Sequence, residues 1–273
     1  MNIAIAIPAR YESTRFPGKP LAMLGGKTML NRVVDIARTV ATQHEGVSYF
    51  VATDDQRIVD HCIEIDAPWF MTPTSCPTGS DRVLAAIQQL EEWPDFVINI
   101  QGDAPFTPIG VVDALIAAFK HNPRAEVVTP VHQLSWDDLD RLRAAKLDTP
   151  FSGTTAVVGK DNQALWFSKS IIPAIRKEEN LRTICDFSPV HQHMGLYGYR
   201  VDILKKFCTL PIGIYEEMEG LEQLRMLENG IQIQAVHVDI QAGTIQSGID
   251  TPEDLKRGEA FLAHMAQNND ALV

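Results

Sequence analysis

Short apolar runs alternate along the first half of the chain with stretches of helical periodicity. Ile3 to Ile7 is an unbroken apolar run and reads as a strand buried on both faces. Thr28 opens a stretch in which Met29, Leu30, Val33, Val34 and Ala37 recur at helical spacing. Val47 to Ala52 is the next strand and stops at Thr53-Asp54-Asp55. Gln56 to Ile65 reads as a helix and Trp69 to Met71 as a short strand. Gly79-Ser80-Asp81 caps a helix through Leu90, with Val83, Ala86, Ile87 and Leu90 facing inward. Phe96 to Ile100 is a strong strand halted by Gln101-Gly102-Asp103, Pro108 starts a helix through Phe119, and Val127 to Val131 is again strand-like. This rhythm predicts an α/β fold with a mostly parallel, doubly wound sheet. Such sheets gather ligands at the carboxyl ends of their strands. The loops that open at Pro8, Thr53 and Gln101 all lie there.

After Val131 the rhythm breaks. Thr154 to Val158 and Ala164 to Phe167 suggest a hairpin around Lys160-Asp161-Asn162-Gln163. Pro173 to Pro189 reads as a polar, irregular, mobile loop, and His193 to Tyr199 as a strand. Glu216 to Glu228 reads as one helix, Ile231 to Val238 as a strand, and Pro252 as the start of a terminal helix capped by Thr251. No repeat or low-complexity linker divides the chain. The expectation is one α/β domain over 1–273 with an irregular insert near 132–192.

Composition narrows the function. The 273 residues are 45% hydrophobic, enough for a sizeable core, and the net charge of −11 argues against a nucleic-acid partner. No apolar stretch is long enough to cross a bilayer, and no leader pattern follows Met1-Asn2, so a cytoplasmic protein without membrane insertion is expected. Cys62, Cys76, Cys185 and Cys208 are scattered and read as reduced thiols rather than a disulfide frame or a zinc site.

Against this acidic background the loop after the first strand stands out. Arg10, Arg15 and Lys19 lie close together in Pro8-Ala9-Arg10-Tyr11-Glu12-Ser13-Thr14-Arg15-Phe16-Pro17-Gly18-Lys19. Arg offers forked hydrogen bonds to phosphate oxygens and Lys a point charge, so the loop is suited to a nucleotide's phosphates, with Ser13 and backbone amides assisting. It is neither a Walker loop nor a dinucleotide fingerprint. Asp103, just past a buried strand, is placed to hold Mg²⁺ with a phosphate. Asp250 precedes the Thr251 cap and is freer than Glu253 or Asp254 to face a metal. His193 reads as a hydrogen-bonding or core histidine rather than a zinc ligand. The acidic run from Glu216 is mostly a solvated face, while Glu222 and Gln223 lie beside the apolar stripe and can reach a polyhydroxy ligand. The tryptophans read as packing residues.

The run from Pro8 to Leu21 closely resembles the 3-deoxy-manno-octulosonate (Kdo) cytidylyltransferases. Matching motifs follow in order at Val51-Ala52-Thr53-Asp54, Gly79-Ser80-Asp81-Arg82, Asn99-Ile100-Gln101-Gly102-Asp103, His193-Met194-Gly195-Leu196-Tyr197-Gly198-Tyr199, Leu221-Glu222-Gln223-Leu224-Arg225 and Gly248 to Asp254. The resemblance implies a nucleotide-diphospho-sugar-transferase-like fold, a homodimer, CTP as donor, a small acidic sugar as acceptor, Mg²⁺ as cofactor and a step in lipopolysaccharide biosynthesis. It implies that the irregular insert near 132–192 serves the acceptor and the dimer. Arg10, Arg15 and Lys19 would hold the triphosphate. Pro8, Ala9, Arg82 and Gln101 would line the cytidine side. Asp103 and Asp250 would bind magnesium, with Arg10 and Lys19 beside them in the catalytic group. Lys169, His193, Tyr197, Glu222 and Gln223 would meet the sugar acid. The chain departs from the family pattern at Ala104, where a Glu is usual, at Ala156, where a Lys is usual, and at Lys169, where an Arg is usual. These changes lie near the expected acceptor side or its supports. They keep open a nucleotidyltransferase for another sugar acid and a catalytically silent nucleotide-binding homologue.

Overall fold

The structure is a computed structural model that describes residues 1–12, 16–240 and 248–268. In chain order its strands are β1 (Ile3–Ala9), β2 (Met23–Leu24), β3 (Lys27–Thr28), β4 (Val47–Thr53), β5 (Trp69–Met71), β6 (Phe96–Asn99), β7 (Val127–Ser135), β8 (Thr154–Val158), β9 (Ala164–Ser168), β10 (Phe187–His193), β11 (Tyr197–Arg200) and β12 (Ile233–His237). The helices are α1 (Met29–Gln43), α2 (Gln56–Glu64), α3 (Gly79–Ile87), α4 (Ile109–His121), α5 (Trp136–Asp148), α6 (Glu178–Arg182), α7 (Val201–Phe207), α8 (Ile214–Glu219), α9 (Gln223–Glu228) and α10 (Pro252–Asn268).

All strands except the β2–β3 pair join one sheet, in the order β5-β4-β1-β6-β11-β7-β10-β8-β9, with β12 also paired to β7. The block β5-β4-β1-β6 is parallel, as the alternating first half requires. Beyond it, β11, β10, β8 and β9 pair antiparallel, and β12 returns parallel to β7. The period of two along β1 builds both faces. Ile3, Ile5 and Ile7 cluster with Leu30, Val33 and Ala37 of α1 and with Val112, Leu115 and Phe119 of α4. Ala4 and Ala6 cluster on the other face with Val83, Ala86 and Ile87 of α3, and their small size lets that helix lie close to the strand. The Thr28 side chain caps α1 by accepting from the Asn31 N–H.

Several elements differ from the sequence reading, each for a local reason. Residues 173–189 are structured, with α6 and the start of β10 inside them. The Trp136 indole donates to the Cys185 carbonyl at 2.7 Å, and Glu178 accepts a two-pronged bond from Arg143 at 2.7 and 2.8 Å. The helix expected over Glu216 to Glu228 is two helices, α8 and α9, because Gly220 ends the first in a left-handed conformation with φ of 62°. Glu216 is not solvated: the Arg225 guanidinium forks onto its carboxylate at 2.6 and 2.7 Å. The strand expected from His193 to Tyr199 is interrupted, since β10 ends at His193 and the Leu196 N–H turns back to the Met194 carbonyl before β11 begins. Helix α3 stops at Ile87, short of Leu90. Helix α5 escaped periodicity because it buries only Trp136 and Leu139. Trp69 and Trp93 are exposed rather than packed.

Gly198 marks a close contact between β11 and α4. A Cβ there would lie 2.5 Å from Phe119 Cε2 and 2.8 Å from Val128 Cγ2. The absence of a side chain lets the Phe119 ring of α4 lie on β11. Gly198→Ala should therefore cost about 1–3 kcal/mol through overpacking, read as a lower urea midpoint. A midpoint equal to the parent's would show that the ring has room to retreat.

Candidate active site

The carboxyl ends of β1 and β6 form the floor of a cavity of about 450 Å³ whose lining includes Pro8, Ala9, Arg10, Lys19, Arg82, Gln101, Asp103 and Asp250. Ser13 and Arg15, the remaining members of the anticipated nucleotide set, lie outside the described residues. The floor is closed by a backbone contact: the Gly102 N–H donates to the Pro8 carbonyl, and a Cβ on Gly102 would sit only 3.0 Å from that oxygen. Thr78 caps α3 by accepting from the Asp81 N–H, so the helix start borders the cavity and contributes a partial positive charge. Arg82 is buried and braced. Its guanidinium donates to Asp54 Oδ2 and to Thr72 Oγ1, both at 2.7 Å, and Thr72 in turn donates to the Thr53 carbonyl. Sequence reasoning noted Asp54 only as part of a motif and missed Thr72. An acidic residue at the end of the strand before a buried Arg was the one available signal.

Lys19 and two aspartates from distant parts of the chain meet at one side of this cavity. Gly18 takes a left-handed conformation with φ of 71° and opens a 3₁₀ turn over Lys19–Leu21, which fixes the Lys19 backbone. The Lys19 ammonium donates to Asp103 Oδ2 at 2.5 Å and to Asp250 Oδ1 at 3.0 Å. Burial works to lower the Lys19 pKa, but the attraction of Asp103 and the hydrogen bonds to both carboxylates overcome it and leave it raised. The loop before α10 is fixed beside it, because Asp254 Oδ2 accepts from the Asp250 and Thr251 N–H groups. A Cβ on Gly248 would lie 3.2 Å from the Asp103 carbonyl and 3.3 Å from its Oδ1, so the approach is close and a side chain there would press on Asp103. Two carboxylates converging on one cation at the edge of a cavity form a donor set suited to a hard divalent ion. No cluster of three or more His, Cys, Asp or Glu side chains fit for a metal is present among the described residues.

On the far side of Asp103 and Gly248 lies a larger cavity of about 810 Å³, lined by Lys169, His193, Tyr197 and Gln223 among others. Four of the five anticipated sugar-binding side chains are thus brought together. Glu222 is not in the lining; it lies toward α3, where Ser80 Oγ approaches its carboxylate at 3.4 Å. Burial raises the Glu222 pKa, opposed by Arg225. Two buried polar atoms here have no hydrogen-bond partner, Glu222 Oε1 and Gln223 Nε2. An orphaned donor on a cavity wall is costly unless a ligand satisfies it.

The state of His193 follows from its partners. Thr129 Oγ1 donates to the Leu196 carbonyl at 2.8 Å, which leaves it to accept from His193 Nε2 at 2.9 Å. The proton therefore sits on Nε2, and Nδ1 is the acceptor. Burial, reinforced by the Lys169 charge, pushes the His193 pKa down to about 3, so the ring is neutral at ordinary pH. Burial also holds the Tyr197 phenol well above its usual pKa, which keeps it a donor. Lys169 is lowered by burial and partly restored by Glu219. Thr129, which sets the His193 tautomer, carried no sequence signal.

The three departures fare differently. Lys169 places its charge in the larger cavity. Ala104 lies in the turn that carries Asp103, its N–H donating to the Gln101 carbonyl. Ala156 does not border the larger cavity: it is fully buried in the core with Phe167 and Val131, where a cation would be unsolvated.

Comparison with known proteins identifies the family. A family model described as Cytidylyltransferase matches residues 4–233. A 3-deoxy-manno-octulosonate cytidylyltransferase of Maricaulis maris (strain MCS10) is 42% identical over 96% of this chain and 98% of its own length. One from Chlamydia trachomatis serovar L2 is 35% identical over 94% of this chain and 92% of its own. A solved structure of CMP:2-keto-3-deoxy-manno-octonic acid synthetase complexed with CTP superposes with a TM-score of 0.81 at 33% identity, covering 97% of this chain and 99% of that one. The chain belongs to the cytidylyltransferase family.

Proposed function

We propose that this protein transfers CMP from CTP to the anomeric hydroxyl of Kdo or a closely related ulosonic acid. The observation that carries the reading is the approach of the two cavities where Asp103, lining one, meets Gly248, lining the other. The smaller one, with Arg10, Lys19 and Arg82, suits a nucleoside triphosphate, the larger suits a polyhydroxy acid, and Asp103 with Gly248 stands between them. The names of the relatives and the CTP-bound structural neighbour support the same donor and acceptor.

In this reading Arg10 and Lys19, with Arg15, grip the triphosphate, while Pro8, Ala9, Arg82 and Gln101 line the cytidine side. Asp103 and Asp250 would hold Mg²⁺, which supplies Lewis-acid charge neutralisation where the α-phosphate meets the acceptor oxygen. The Lys169 ammonium pairs with the sugar carboxylate. Gln223 Nε2 and the Tyr197 phenol donate to sugar oxygens, and His193 Nδ1 accepts from a hydroxyl. The anomeric oxygen then bonds to the α-phosphorus, its proton passes to water, and the bond to the β-phosphate breaks to release pyrophosphate. The protein's part is positioning and charge neutralisation. The reaction's dependence on CTP suits the cytoplasm. A homodimer belongs to the same proposal: Ile212, Ile214 and Met218, on and before α8, are exposed apolar side chains of the kind a second copy covers, and sedimentation at a dimer's mass is the check.

Pyrophosphate release from CTP and Mg²⁺ should appear with Kdo in a panel of ulosonic acids. CTP binding with no release on any acceptor would sink the transferase reading in favour of a silent homologue. Asp103→Ala should lower turnover by orders of magnitude while metal-free CTP still binds; near-normal turnover would remove Asp103 from the metal site.

His193 offers a check independent of turnover. Its folded pKa of about 3 lies below its ordinary value of 6.5, so between those values the unfolded chain binds a proton that the folded one does not. Its contribution to stability is complete above pH 6.5 and is lost as the pH falls toward 3. Urea unfolding at stepped pH should show stability falling more steeply for the parent than for His193→Gln. Parallel curves would mean that the imidazole is not held neutral.

A further inference from the structure

We propose that Lys19 is the resident cation of the two-aspartate site, and that a divalent metal enters only with a nucleotide whose phosphates draw the ammonium away. This rests on the reading that Asp103 and Asp250 hold the metal. In the structure both carboxylates already have a cation between them, the Lys19 ammonium at 2.5 and 3.0 Å. The Lys19 side chain is only 12% exposed, so the ammonium is held inside the site rather than swept through it from solvent. A divalent ion placed on the same oxygens would stand against an ammonium a few ångströms away, in a partly buried setting that screens the repulsion poorly. The two cations therefore exclude each other.

The anchor and the exit are both present. The Lys19 N–H donates to the Phe16 carbonyl, and its own carbonyl accepts from the Ala22 N–H, which fixes the backbone. Beyond that backbone the four-carbon stem is flexible. Lys19 lines the smaller cavity beside Arg10, so a polyphosphate seated there offers the ammonium a second anionic partner without movement of the main chain. When the ammonium turns to the phosphates, both aspartates lose its charge beside a ligand that itself favours a divalent ion. Metal and nucleotide then favour each other's binding, and by linkage each strengthens the other by the same factor. Without nucleotide, the protein guards its two carboxylates against stray divalent ions.

The test is Mn²⁺ binding to the full chain without nucleotide, followed by electron paramagnetic resonance. The parent and Lys19→Arg, which keep the charge, should bind Mn²⁺ weakly. Lys19→Met, nearly isosteric and uncharged, should bind about tenfold tighter or more, and adding Asp103→Asn to it should abolish the gain. Circular dichroism confirms that each variant is folded. Mn²⁺ bound by the parent alone as tightly as by Lys19→Met would overturn the exclusion while leaving the metal site standing. No Mn²⁺ bound by any form, even with CTP, would overturn the metal site itself. A further readout needs only the parent: its Lys19 ε-carbon resonance, assigned by comparison with Lys19→Arg, should shift when metal-free CTP binds. An unmoved resonance at saturating CTP would overturn the proposal.

Discussion

The site depends on one electrostatic junction, the contact of Lys19 with Asp103 and Asp250. Lys19 lies 84 residues from the first partner and 231 from the second. Joining them ties the loop after β1 to the turn after β6 and to the segment entering α10. Carboxylates brought this close would repel one another without a cation between them. Lys19 therefore offsets part of the repulsion between the two carboxylates that the fold brings together. The same contact lines the smaller cavity, so its charge state bears on whatever that cavity receives.

Around this junction the protein uses braces rather than isolated functional side chains. Arg82 reaches the smaller cavity with its guanidinium held by Asp54 and Thr72. His193 reaches the larger one with its tautomer set by Thr129. Glycines at 102 and 248 let backbone approach where a side chain would be crowded. Each device lowers the freedom of a polar group before a ligand arrives, which is what catalysis by positioning requires. Gln223 Nε2 is the exception, left without a partner on a cavity wall.

The residues that sequence reasoning found and those it missed differ by whether their role is local. The parallel block β5-β4-β1-β6 was legible because each strand is a self-contained apolar run and the helix between β1 and β4 repeats its apolar residues at helical spacing. The basic loop stood out because cations cluster there in an acidic chain. The split of α8 from α9 was harder to read because one glycine breaks an otherwise continuous pattern. Helix α5 was hidden because it buries too few residues to leave a periodicity. Glu216 was read as solvated because its partner Arg225 is brought to it by the α8–α9 turn. Ala156 was read as a missing charge near the acceptor side or its supports, and the structure buries that position in the core.

By itself, the sequence determined the strand-helix alternation, the position of a basic loop at a strand's carboxyl end, and the motifs that mark the family. Those features follow from short-range periodicity and from residue types close together along the chain. Only the tertiary structure decided that Asp103 and Asp250 share a cation, that His193 carries its proton on Nε2, and that the two cavities approach each other where Gly248 meets Asp103. Each of these is a relation between residues far apart in the chain, set by how the sheet orders its strands and not by any local preference.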